Sequence, residues 1–245
     1  MDYKDKIVLI TGASSDIGKS MAKFFAQRKA SLILTYYHND ELVKKLKDEL
    51  IAKYAVNVDI VYLDLRQENV ISNVYNYVKD KYQKIDILVN NAALSIDSFI
   101  MDKNKQEFMQ VLETNVVGTF LMIKYFDNLI NHGYIFNMSS TDGIDTGNIY
   151  SIDYNVSKAG INTLTKTFSL YSDNVIISLC PNWVDTKSTN SMDKNYLDSE
   201  LKRIHQNKLI SPILIAQVID KCIKEKVKSG SIIRIEGEED VRRIN

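Results

Sequence analysis

An alternation restricts this chain more than any other feature: a short apolar run that stops at a glycine or polar residue, then a stretch of helical periodicity, repeated from end to end. Residues 6–11, Lys-Ile-Val-Leu-Ile-Thr, are nearly continuously apolar, as a parallel strand buried on both faces is. Beyond them Ile17, Met21, Phe24 and Phe25 recur at spacings of three and four, which describes a helix over residues 17–28 with one buried stripe. The pattern predicts further strands over residues 31–36, 58–63, 85–90, 134–139, 174–180 and 231–236. Helices are predicted over 40–53, 68–82, 105–131, 153–172 and 212–227. Seven strands alternating with helices imply one α/β domain over residues 1–245, a doubly wound, mainly parallel sheet flanked by helices and joined by right-handed crossovers. The polar stretch from 181 to 209 is too long for an ordinary connection, which predicts a substrate lid over about 183–209, helical near Tyr196 to His205. The charged tail, residues 236–243, reads as a solvated end.

Bulk properties remove several function classes. Lys plus Arg balance Asp plus Glu at 31 each, so overall charge recruits neither nucleic acid nor an anionic membrane. Two cysteines, Cys180 and Cys222, make no disulfide framework, and no signal-like or membrane-spanning apolar stretch stands out, so a cytoplasmic protein is expected. No metal-ligand spacing is seen, and a small-molecule ligand is expected.

Where glycine occurs it carries information, because the chain has only nine. Thr11-Gly12-Ala13-Ser14-Ser15-Asp16-Ile17-Gly18 lies between the first strand and the first helix, where backbone N–H groups and the helix dipole can hold a pyrophosphate, as in a Rossmann-type fold. Gly12 would allow the sharp turn and Gly18 the close packing of helix on strand; a tight βα turn without ligand is the plain alternative. Asp16 is unexpected beside a phosphate and can instead cap the helix. Asp64 ends the third strand and Asn90-Asn91-Ala92-Ala93 follow the fourth, at the sheet edge where ligands bind; Asp64 could accept from an adenine amino group, or simply form a turn. At the end of the second strand, Thr35-Tyr36-Tyr37-His38 offers neither the acid that selects NAD nor an arginine that selects NADP. Lacking the acid that repels a phosphate, and with Lys19 or His38 as possible cations, the site favours NADP over NAD.

Tyr154 and Lys158 are four apart on a predicted helix and share a face, where an ammonium would lower the phenol's pKa toward neutrality. Ser139 and Ser140 end the preceding strand on the same sheet edge. With these residues in place, the chain resembles the short-chain dehydrogenases/reductases, in the compact branch of about 250 residues that includes the acyl-carrier-protein reductases. The family's T-G-x-x-x-G-x-G falls on Thr11 to Gly18, N-N-A-G on Asn90 to Ala93, a helix asparagine on Asn115, Y-x-x-x-K on Tyr154 to Lys158, and P-G-x-V-x-T on Pro181 to Thr186. Residues 229–237 are similar to the family's closing strand.

The resemblance implies hydride transfer between nicotinamide and a carbonyl or secondary alcohol. Tyr154 would exchange the substrate proton and Ser140, favoured over Ser139 by family spacing, would bind the substrate oxygen. Lys158 would hold the nicotinamide ribose, Asn115 a water of the proton relay, and Thr186 the carboxamide. The implied cofactor contacts are Gly12, Ser14, Ser15, Ile17, Gly18, Asp64, Leu65, Asn91, Ala92, Tyr154, Lys158, Pro181, Val184 and Thr186. A homotetramer is implied, with the helices around Asn115 and Tyr154 as its interface. Asp16, Ala93 and Asn182 stand where the family has glycine, which keeps a second class open: a cofactor-binding sensor or scaffold with weakened catalysis. A sugar-nucleotide epimerase or dehydratase is a third, disfavoured by the short C-terminal part. Substrate identity should lie in residues 94–99, 141–153 and 183–209, with Ile144, Ile149, Trp183 and Met192 as candidate apolar walls and Asp97, Asp142 and Asp145 suiting a polar substrate.

Overall fold

The computed structural model describes residues 1–244. Its strands are β1 (Ile7–Ile10), β2 (Ser31–Tyr36), β3 (Val58–Tyr62), β4 (Ile85–Asn90), β5 (Ile130–Met138), β6 (Val175–Pro181), β7 (Ile232–Ile235) and β8 (Val241–Ile244). Its helices are α1 (Asp16–Gln27), α2 (Asp40–Tyr54), α3 (Glu68–Tyr82), α4 (Lys105–Leu112), α5 (Gly118–Phe126), α6 (Ile152–Phe168), α7 (Lys187–Asn190), α8 (Lys194–Arg203) and α9 (Pro212–Lys224).

All eight strands form one sheet in the order β3-β2-β1-β4-β5-β6-β7-β8. The first seven are parallel, and strand order reverses between β1 and β4, the switch point at which a doubly wound sheet opens a crevice for ligand. The pleat divides β1 between two cores: Val8 and Ile10 pack with Phe25, Leu214 and Ile219 on one face, while Leu9 packs with Ile71, Met122 and Phe126 on the other. Burial on both faces is why this strand reads as an unbroken apolar run.

Two expectations need correction. The sheet has eight strands, not seven: Val241 to Ile244 pair antiparallel with β7, Ile235 opposite Val241 and Ile232 opposite Ile244. The tail looked solvated because Arg242 and Arg243 interrupt its apolar residues, yet exposed arginines suit an edge strand, where charge discourages pairing with another chain. The helix expected over 105–131 is broken at Glu113–Val117, where one turn is π-helical, and it ends before a 3₁₀ turn at Asp127–Leu129. The fifth strand accordingly begins at Ile130 rather than near 134, through an irregular register against β4. Gly133 makes this entry possible, since a Cβ there would stand 2.3 Å from the Asp86 carbonyl oxygen. Finally, the polar 183–209 segment holds two helices, α7 and α8, and returns to the body through a bridge between Val184 and Ile210.

Candidate active site

The turn after β1 is built for an anion. Gly12 adopts φ +66°, and a Cβ there would come within 2.9 Å of the Ala92 Cα. Gly18 brings α1 against the turn, where a Cβ would stand 2.4 Å from the Gly12 carbonyl oxygen. Asn91 fastens the loop after β4 to this turn: its Nδ2 donates to the Thr11 and Gly12 carbonyls at 2.8 and 3.2 Å. The Thr11 hydroxyl in turn accepts the backbone N–H groups of Asn91 and Ala92, both at 2.9 Å. Among the described residues the backbone N–H groups of Ser14, Asp16 and Ile17 have no partner, so the first turn of α1 presents free donors at the positive end of its dipole. These features fit a dinucleotide pyrophosphate.

Asp16 is not the helix cap. Ser15 fills that role, its Oγ accepting from the Gly18 N–H at 3.0 Å, and Asp16 is the first helical residue. Its carboxylate accepts from the backbone N–H of Lys187 at 2.7 Å and stands 3.7 Å from the Lys19 ammonium. The charge that looked hostile to a phosphate is therefore engaged elsewhere. Asn182 is likewise accommodated without left-handed backbone: its side-chain oxygen accepts from the Thr141 hydroxyl and joins β6 to the loop that carries Ser140.

At the carboxyl end of β5 the two serines separate in role. Ser139 Oγ donates to the carbonyl of Lys158 at 2.8 Å and belongs to the packing of α6. Ser140 Oγ accepts from the Asp142 N–H at 3.1 Å and neighbours the Tyr154 phenol. Gly143 lets this loop lie on the Tyr154 helix, since a Cβ there would stand 2.5 Å from the Lys158 carbonyl carbon. Lys158 is fully buried, its ammonium donating to the Met138 carbonyl at 2.7 Å and lying 5.0 Å from the centroid of the Tyr154 ring. Burial brings Lys158 down to about 8. Burial also raises Tyr154, with Asp142 and Asp97 adding to the effect and the Ser140 hydroxyl opposing it. The expected lowering of the phenol toward neutrality is thus not found; burial is the largest influence on it.

Asn115 lies in the π turn and is fully buried. Its Oδ1 accepts from the Leu94 N–H at 2.7 Å, and its Nδ2 donates to the Leu94 carbonyl at 2.8 Å and to Ser157 Oγ at 3.0 Å. This amide ties the loop after β4 to α6. One group near Tyr154 was not anticipated: an ion pair of Lys103 with Asp153 at 3.0 Å, buried on both sides. Asp153 also accepts the Tyr154 backbone N–H at 2.9 Å. Asp and Lys in amphipathic surroundings gave no sequence signal for this pairing.

The sheet edge gathers the remaining expected residues. Leu65 is buried against Gly118, Pro181 and Val184 are buried, and Thr186 caps α7 by accepting from the Thr189 N–H at 3.2 Å. Asp64 has both oxygens occupied by Arg66 and Gln67, so it offers no free acceptor to an adenine. On the substrate side, Tyr196 and Glu200 of α8 meet Asn148 at 2.5 and 3.2 Å, and Tyr196 packs edge-on against Tyr150. Ile149 faces solvent, Trp183 is half-buried with its backbone bonded to Gln206, and Asp145 turns away to Arg234. Asp142 stays beside Tyr154, its carboxyl raised by burial and accepting from Thr146 at 2.8 Å.

A family model for short chain dehydrogenases matches residues 6–197. Among curated relatives, a 3-oxoacyl-[acyl-carrier-protein] reductase of Thermotoga maritima is 31% identical over 249 residues, covering 97% of this chain and 98% of that protein. One from Aquifex aeolicus is 28% identical over 240 residues, covering 95% and 96%. Among solved structures, L-sorbose reductase from Gluconobacter frateurii, complexed with NADPH and L-sorbose, superposes with a TM-score of 0.86 at 21% identity over 97% of each chain. A short-chain dehydrogenase/reductase from Serratia marcescens gives 0.89 at 19% identity, covering 96% of this chain and 98% of that one. These two share the fold. By the family match and the near full-length relatives, this chain belongs to the short-chain dehydrogenases and is an NAD(P)-dependent oxidoreductase.

Proposed function

We propose that the enzyme reduces a carbonyl of a polar small molecule, or oxidises the corresponding secondary alcohol, with Tyr154 as proton donor or acceptor and NADP(H) preferred. One observation carries this reading: Ser139 is spent on the backbone of α6, while Ser140, Tyr154 and the buried Lys158 converge at the carboxyl edge of β5. Bound nicotinamide supplies or accepts the hydride. Tyr154 gives its phenolic proton to the substrate oxygen as that oxygen gains charge, and Ser140 donates a hydrogen bond to the same oxygen. Lys158, a cation beneath the ring, stabilises the phenolate that results and has N–H groups left for the ribose. The Asn115 amide is already committed to Leu94 and Ser157, so it positions the loop after β4 against α6. The 183–209 segment serves as the substrate lid, docked through Asn148. Asp142 gives the pocket an acceptor suited to a hydroxylated substrate; among the proteins named above are two 3-oxoacyl-[acyl-carrier-protein] reductases and an L-sorbose reductase.

NADP(H) over NAD(H) is supported by the absence of an acid in Tyr36–Asn39, where β2 ends. A cytoplasmic homotetramer is proposed as the working form, since α4, the π turn, α5 and α6 leave Met109, Val117, Phe120 and Val156 in solvent.

The test is turnover of NADPH, then NADH, across a panel of ketones, aldehydes, sugars and acyl thioesters. Tyr154→Phe is expected to lower kcat by about 10²–10⁴ and Ser140→Ala by about 10². Ser139→Ala instead costs about 1 kcal/mol of stability, because the Lys158 carbonyl keeps its helix donor and loses a second, buried one. No turnover with either nucleotide, or full activity in Tyr154→Phe, defeats the reading.

A further inference from the structure

The end of β2 is where a dinucleotide fold reads the adenosine ribose: an acid there binds a 2′-hydroxyl, a cation a 2′-phosphate. Here that end runs Tyr36-Tyr37-His38-Asn39, without acid or arginine. The cation arrives from the neighbouring strand. Arg66, four residues past β3, lays its guanidinium over Tyr37, Cζ 4.9 Å from the ring centroid, and Nη2 donates to the Tyr37 phenol oxygen. His38 packs on the other ring of this corner, its centroid 3.9 Å from that of Tyr37.

The guanidinium is held in place. Its Nε and Nη2 bind the two Asp64 oxygens at 2.9 and 2.8 Å, a bidentate pair, while the Arg66 backbone N–H and Gln67 Nε2 fill the remaining positions on the carboxylate at 3.0 and 2.9 Å. The Asp64 side chain is 4% exposed and that of Arg66 30%, so a ligand arriving from solvent meets the cation first. Nη1 has no partner among the described residues, which leaves two N–H groups free. The Tyr37 hydroxyl accepts from Arg66 and keeps its own proton to donate. Three donors and a positive charge at one fixed corner match the oxygens of a phosphate monoester.

We propose that Arg66, together with Tyr37, reads the adenosine 2′-phosphate and thereby sets the preference for NADP(H). This rests on the dinucleotide reading above and names the residue that discriminates between the two forms. Asp64 acts as the positioning residue: it fixes the fork of Arg66 at the cost of part of its field, so discrimination is of moderate size.

The experiment is calorimetric titration at low salt with 2′,5′-ADP (adenosine 2′,5′-bisphosphate) and with 5′-AMP, probes that differ by the 2′-phosphate alone. Wild type is expected to bind 2′,5′-ADP about tenfold more tightly or better, the worth of one charge-assisted contact. Arg66→Gln brings the ratio close to one with a much smaller loss of 5′-AMP affinity, and Arg66→Lys retains part of the ratio because charge stays while the fork is lost. Thermal melts run in parallel show that the variants are folded. A wild-type ratio near one, or an unchanged ratio in Arg66→Gln, overturns the proposal. If wild type binds neither probe, nor NADPH or NADH, the dinucleotide reading itself falls, an outcome distinct from an altered ratio.

Discussion

Lys158 is charged in a place that disfavours charge, and this gives it a signature in folding as well as in chemistry. Buried beside Tyr154, Cys180 and Asp142, it titrates near 8 in the fold and at 10.5 in the unfolded chain. Between those values the unfolded chain holds a proton that the native state lacks, so stability contributed by this group rises with pH, by at most about 1.4 kcal/mol per unit. Tyr154 and Cys180, both raised by burial, act in the opposite direction once their unfolded forms ionise, so the rise belongs to the window from about pH 8 to pH 10. Urea unfolding of wild type and Lys158→Met at several pH values checks this: the stability difference between them is expected to move in favour of wild type across that window, and a flat difference contradicts it. Single residues were legible where the signal is local. Tyr154 and Lys158 share a helix face and Gly12 and Gly18 bracket one turn, so spacing alone exposes them. Asp16, Asn182 and Arg66 were misjudged or passed over because their partners arrive through the fold, Lys187 lying 171 residues beyond Asp16 and Tyr37 lying 29 before Arg66.

Among elements, the contact between the segment before α4 and the start of α6 matters most to the site. Asp153 holds the Tyr154 N–H with one oxygen and Lys103 with the other, and Lys103 also donates to the Ile96 carbonyl. A buried pair of this kind is costly to split and cheap to remove whole. Asp153→Asn or Lys103→Met alone is expected to cost about 3–5 kcal/mol, while joint replacement by apolar residues recovers most of it, so a double-mutant cycle read by denaturant unfolding should show strong coupling. Additive losses would mean that the two groups act separately. Element boundaries follow the same logic as the residues. Helices α2 and α3 and strands β2 and β4 match their periodicity nearly to the residue, but the π turn at Asn115 is invisible in a pattern that stays apolar at helical spacing through it. The early start of β5 is equally hidden, since it depends on how closely Gly133 approaches Asp86 rather than on propensity.

For the molecule as a whole, the doubly wound sheet was readable because buried parallel strands leave uninterrupted apolar runs, while β8 was missed because an edge strand needs no such run. The apolar groups left in solvent on α4, α5 and α6 predict self-association: Phe120→Glu is expected to shift the protein to a smaller species in light scattering behind size exclusion, and a wild type already monomeric at working concentration rules the interface out. The bond between Asp16 and the Lys187 amide has a consequence of its own at this scale. Asp16 opens α1 directly after the phosphate turn, so its grip on the Lys187 amide moors the start of the 183–209 segment at that turn, and Lys19 partly neutralises the carboxylate there.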